Sequence, residues 1–121
     1  MQNVVAIGNS FGFVEPLEST SLAAICDQCK SLTNSLIDCL RDPGAGMALA
    51  YNIRQTRQWD DIRAFLAIHY KFNTRLDTEF WRAAREKTDL AGAEPLTDFY
   101  AENGPSAVWA QMLVDPIDQF G

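Results

Sequence analysis

The sequence predicts a mainly α chain. One short strand over residues 3–8 is followed by an irregular array of two long and two or three short helices. Three observations carry this reading. Asn3 to Gly8, NVVAIG, is apolar and β-branched with no polar alternation, the pattern of a buried strand. From Thr20 to about Arg41, the apolar residues Leu22, Ile25, Cys26, Cys29, Leu32, Leu36, Cys39 and Leu40 recur at steps of three and four, the spacing of an amphipathic helix. No second β-type run follows, so the strand has no partner for its backbone groups. It reads as the last member of a sheet lying elsewhere, with this chain the C-terminal part of something larger.

Each element has its own signals. Gly8 to Pro16 holds two glycines and a proline and reads as loop. Ser19 or Thr20 suits the N-cap of the first helix, because a hydroxyl oxygen can accept a free N–H of the first turn. Asp42-Pro43-Gly44-Ala45-Gly46 ends that helix. A second helix runs from about Met47 to Lys71, with Leu49, Ile53, Trp59, Ile62, Phe65, Leu66 and Tyr70 on its stripe. After a loop over residues 72–77, Asp77 or Thr78 caps a short helix containing Phe80, Trp81 and Ala84. Glu79 suits the positive dipole of its first turn. A weaker helix covers Leu96 to Glu102, stopped by Gly104-Pro105, and Ser106 to Val114 adds one more turn or two.

The bulk properties narrow the partners. Among 121 residues, 47% are hydrophobic and 21% charged, an ordinary composition for one domain. The net charge of -6 argues against binding nucleic acid or an anionic membrane surface. No apolar run reaches the roughly 18 residues of a membrane span. MQNVVAIG has no basic segment of the kind that opens a signal peptide, so a cytoplasmic location is expected. Cys26-Asp27-Gln28-Cys29 lies inside a helical pattern, where a redox motif would sit at a helix start. Cys26, Cys29 and Cys39 are therefore expected on the packed apolar face. With His69 the single histidine, no metal site is expected.

The opening of the first helix is the place for chemistry. The first-turn amides of Thr20, Ser21 and Leu22, with the positive end of the dipole, would point into a site for an anion or an electron-rich ring edge. Glu18 stands just before it, and a carboxylate there can orient a reactive group or accept a proton. The plain alternative is a glutamate that favours the helix start electrostatically. Phe80 and Trp81 on a short amphipathic helix read, from spacing alone, as core aromatics before pocket walls.

Two blocks carry a family resemblance. NVVAIGNSFGFVEPLESTS, Asn3 to Ser21, resembles the C-terminal motif of flavin-dependent tryptophan halogenases. DDIRAFLAIHYKFNTRLDTEFWR, Asp60 to Arg82, resembles a second block of that family, a tyrosine-bearing helix followed by D-T-x-F-W-R. The resemblance implies the C-terminal part of a larger α/β, FAD-dependent monooxygenase-like fold. Residues 1–19 would be the strand and motif loop of the flavin domain, and residues 20–121 the helical, substrate-side region. It implies reduced FAD, oxygen and a halide ion as reactants, and tryptophan or a related indole as substrate. It also implies a separate flavin reductase and a homodimer of the full-length enzyme. Glu18 and Ser19 then fall on catalytic positions, Thr20 and Ser21 on the halide site, and Asn9 and Leu22 on flavin contacts. Tyr70, Phe80 and Trp81 fall on walls of the substrate pocket.

The departures from the family are specific. G-x-G-x-x-G, W-x-W-x-I-P and the catalytic lysine are absent; Gly44-Ala45-Gly46 only partly imitates the first, and Lys30, Lys71 and Lys87 do not replace the last. The FAD-binding domain is therefore expected to be missing, and the isolated chain to be inactive and partly molten. Leu76 stands where enzymes for free tryptophan carry an acidic residue, and Arg85 where another polar substrate contact is expected. These differences leave other indoles or other aromatics open as substrates. The alternatives are a non-catalytic helical interaction module or pseudoenzyme remnant, and a related flavin monooxygenase.

Overall fold

A computed structural model describes residues 4–15 and 19–107. The chain divides into two compact units, Met1–Ala91 and Gly92–Gly121. The first contains a 3-10 turn at Gly8–Ser10, then α1 (Thr20–Asp38), α2 (Ala45–Lys71) and α3 (Glu79–Lys87); the second contains α4 (Glu94–Asn103). The four helices match the predicted order. The predicted tail beyond Ala107 lies outside the described residues.

The predicted strand does not form among the described residues. Ile7 keeps extended dihedrals, φ -135 and ψ 146, but no ladder pairs with it. Its N–H donates to Ser10 Oγ at 3.1 Å, and its carbonyl accepts from the same hydroxyl at 2.7 Å. The next amide, Gly8 N–H, donates to Gln28 Oε1 at 2.6 Å. Side chains thus take the backbone groups that a neighbouring strand would use. Val4 and Val5 remain exposed.

α1 ends at Asp38, before the proline–glycine signal. Leu40 N–H donates to Ile37 O at 3.1 Å and Arg41 N–H to Leu36 O at 2.7 Å, the bond pair of a Schellman motif. The motif places Leu40 at φ 52, in a left-handed conformation usually reserved for glycine. The start of α1 is equally unusual. Ser19 occupies the N-cap, as expected, but sits at φ 54 and its side chain makes no capping bond.

The packed face of α1 differs from the predicted stripe. Ala24 and Gln28 are buried, whereas Cys26 and Cys29 are exposed and Leu22 is 64% exposed. Only Cys39 of the three cysteines is half-buried, and its thiol donates to Ser35 O. The small Ala24 side chain suits a close approach by α2, and the bulkier apolar residues lie on the neighbouring face of the cylinder. On α2, Tyr51, Gln55, Leu66 and Ala67 are buried, while the predicted Leu49, Ile53 and Phe65 are exposed. Asp27 and Arg54 join the two helices through contacts at 3.0 and 3.2 Å.

α3 follows its prediction closely. Thr78 is its N-cap, accepting from Trp81 N–H at 3.4 Å, and Glu79 sits in its first turn. Lys71 Nζ donates to Thr88 O at 2.9 Å, which ties the end of α3 to the end of α2. In the second unit, α4 begins with Pro95 in its first turn and ends at Gly104, φ 73. Among the described residues, no helix is long and apolar enough to cross a membrane.

The α1 terminus yields a prediction. Leu40 is 89% exposed, so truncation loses little packing. Leu40→Gly is expected to raise stability by about 0.5–1 kcal/mol, left-handed strain relieved minus the extra freedom of unfolded glycine. A higher denaturant midpoint at unchanged slope is the expected readout.

Candidate functional site

The motif loop is fastened to both long helices. Its first anchor is Gly8, at φ 62; a Cβ there would lie 2.8 Å from Ile25 Cγ1. Only glycine accepts both the turn and this approach. The amide of that same residue is held by the fully buried Gln28. A second anchor is Gly12, where an added Cβ would meet the Trp59 ring at 3.2 Å. The third is Glu15, whose Oε2 accepts from the Tyr70 hydroxyl at 2.9 Å. Turn, loop and carboxylate are thus placed by α1, by the middle of α2 and by the end of α2.

The predicted site residues occupy distinct places. Glu18 lies outside the described residues. Ser19 is exposed at the α1 N-cap, and Thr20 and Ser21 open the helix. Asn9 is exposed within the 3-10 turn and Leu22 on the first turn of α1. Tyr70, Phe80 and Trp81 come together from α2 and α3. Tyr70 and Trp81 are stacked at 5.6 Å with a 25° interplanar angle. Phe80 meets Trp81 edge-on at 5.1 Å and Tyr70 at 6.3 Å. Since Tyr70 and Trp81 lie against each other, a flat ligand would stack on the outer side of this cluster, where Phe80 is 60% exposed.

The loop beside the cluster is braced from within. Arg85 donates to Asn73 O at 3.0 Å, Leu76 O at 3.2 Å and Asp77 Oδ1 at 3.0 Å. Arg82 Nε reaches the same Asp77 oxygen at 2.9 Å, and Asn73 Oδ1 accepts from Arg75 N–H. Arg85, expected as a polar substrate contact, directs its guanidinium into this loop. Leu76 is left 52% exposed on it.

Sequence reasoning missed three features. Glu15 meets Tyr70, 55 positions away. Trp59 was read as stripe, yet it covers Gly12, and its Nε1 is buried without a protein partner. A groove of about 310 Å³ between α1 and α2 brings Thr20 and Ala23 to Gln58, Asp61 and Phe65. None has a local signature, because each depends on how two distant segments meet.

Tyr70 and Asp61 have displaced titrations. The hydrogen bond to Glu15, then burial and the Glu15 charge, raise the Tyr70 phenol above its ordinary 10.0. Burial, then the charge of Asp60, raise the Asp61 carboxyl above its ordinary 3.8. The folded chain therefore holds the Asp61 proton more tightly than the unfolded chain. That advantage is complete below 3.8 and disappears as pH rises through the folded value. Asp61→Asn is expected to melt about 1–2 °C above the parent near pH 7, a figure discounted for solvent screening, with the gap closing near pH 3.

The chain is similar to known proteins along most of its length. The family model described as "Tryptophan halogenase" matches residues 1–113. The chain is 34% identical over 114 residues to tryptophan 7-halogenase RebH of Lentzea aerocolonigenes, covering 91% of this chain and 21% of that protein. It is 37% identical over 113 residues to 7-chloro-L-tryptophan 6-halogenase KtzR of Kutzneria sp. (strain 744), covering 93% and 20%. The crystal structure of MibH, a "lathipeptide tryptophan 5-halogenase", superposes with a TM-score of 0.75 at 44% identity, over 93% of this chain and 22% of that one. The chain thus spans about a fifth of the length of these relatives, and it belongs to the tryptophan halogenase family.

Proposed function

We propose that this chain is the C-terminal part of a flavin-dependent halogenase that installs chlorine or bromine on an aromatic carbon of an indole. The observation that carries the reading is the Tyr70–Glu15 hydrogen bond, which joins the aromatic cluster to the loop leading into Glu18. The residues present fit the implied reactants. The first turn of α1, with the positive end of its dipole, would suit a halide. Asn9 and Leu22 offer an exposed edge to a flavin. Reduced FAD, with oxygen and halide, would supply the oxidised halogen. Thr20 and Ser21 would hold the halide, and Glu18 would orient the halogenating species or accept the proton lost from the ring. Ser19 would hold a hydrogen bond beside it. Tyr70, Phe80 and Trp81 would wall the indole and exclude water. A separate reductase would deliver the reduced flavin, and the FAD-binding domain and catalytic lysine would come from polypeptide outside these residues.

The substrate is narrowed by Leu76 and Arg85. An exposed leucine offers no grip on an ammonium group, and Arg85 is engaged with its own loop. We therefore assign the substrate as tryptophan within a peptide, or another indole without a free amino group. The 44% identity to MibH supports this choice.

The test joins the chain to a flavin-binding halogenase portion and assays bromination with a flavin reductase. Tryptophan-containing peptide is expected to react faster than free tryptophan. Glu18→Gln is expected to slow bromination by roughly 10²-fold, the scale of a lost general base. A Glu18→Gln variant as fast as its parent would remove the catalytic assignment.

A further inference from the structure

Tyr70 belongs to two structures at once. Its ring stacks on Trp81 in the aromatic cluster, and its hydroxyl donates to Glu15 on the motif loop. Resting on the functional reading above, we infer that Tyr70 is a positioning residue that couples an indole at the aromatic cluster to the carboxylate loop.

Tyr70 is half-buried near the end of α2, and the Lys71–Thr88 contact fixes the neighbouring turn against α3. The ring is therefore held by Trp81 on one side and Phe80 at its edge. A planar ligand packing on this cluster bears on all three rings together. Any resulting shift of Tyr70 passes to Glu15 through a single 2.9 Å bond. Upstream, the loop is held at Gly8 by Gln28 and lies against Trp59 at Gly12, and Glu18 follows Glu15 by three positions in the sequence. The hydroxyl is thereby committed to the protein, and the ring alone is offered to substrate.

This assignment separates catalysis from affinity. Tyr70→Phe keeps the ring and removes the bond. In the joined enzyme described above it is expected to lower kcat about tenfold while leaving KM for the indole within about twofold. Glu15→Ala is expected to match it, Glu15→Gln to recover most of the loss through its amide oxygen, and the double Tyr70→Phe/Glu15→Ala variant to be no worse than either single. A raised KM at unchanged kcat, or additive losses, would overturn the coupling. A second measurement needs no catalysis. Tyrosinate absorbance titration of the 121-residue chain is expected to show one phenol moving down toward 10.0 in Glu15→Ala. An unchanged titration would overturn the inference, whatever the joined enzyme does. A parent enzyme that fails to halogenate would count against the functional reading alone, and the titration would still decide the bond.

Discussion

The buried hydrogen bond from Gly8 N–H to Gln28 Oε1, 2.6 Å long, is the constraint on which the rest of the site depends. It converts a stretch of extended chain into a fixed turn. Gln28 is fully buried, so the carbonyl it offers faces no competing water, and such a bond is strong in its setting. Ile25 closes the space beside Gly8, and Ser10 occupies the backbone groups of Ile7. From this fixed turn the loop runs over Trp59 and reaches Tyr70. A catalytic carboxylate must be held to within fractions of an ångström to be useful. Here the motif loop is held by side chains on two helices.

The interface that supports this turn is unusually polar. Gln28 and Gln55 are its most buried large side chains, and Tyr51, Gln58 and Trp59 also place polar atoms where no protein partner meets them. Ordered water is the ordinary way such groups are satisfied in a packed helix pair. A polar seam of this kind gives α1 and α2 a defined register, since a misplaced pair would strand several amides at once. It also explains why the apolar stripe failed as a guide. The residues between the helices are Ala24, Gln28 and Gln55, while Leu22, Cys26 and Cys29 lie outward.

The helices were legible because their signals are local. Thr78 and Glu79 announce α3, and Gly104 closes α4. The end of α1 was misjudged by three residues because a Schellman motif formed on Leu40, without the glycine that normally marks one. The expected strand failed because extended propensity is not pairing; Ile7 has the dihedrals but its hydrogen bonds go to Ser10. The aromatic trio was named from the family resemblance, and its three rings meet between α2 and α3. The contacts that organise it, Tyr70 to Glu15 and Arg85 to the 73–77 loop, join positions that carry no pairwise signal in one sequence.

Hydrogen exchange of the Gly8 amide in the 121-residue chain, followed by NMR, tests this account most directly. If Gln28 holds the turn, that amide exchanges at least about a hundredfold more slowly than in an unfolded chain, alongside the central amides of α1. An amide that exchanges at the unfolded rate while α1 stays protected would mean that the motif loop is not anchored on the helix pair, and the site built on it would fall.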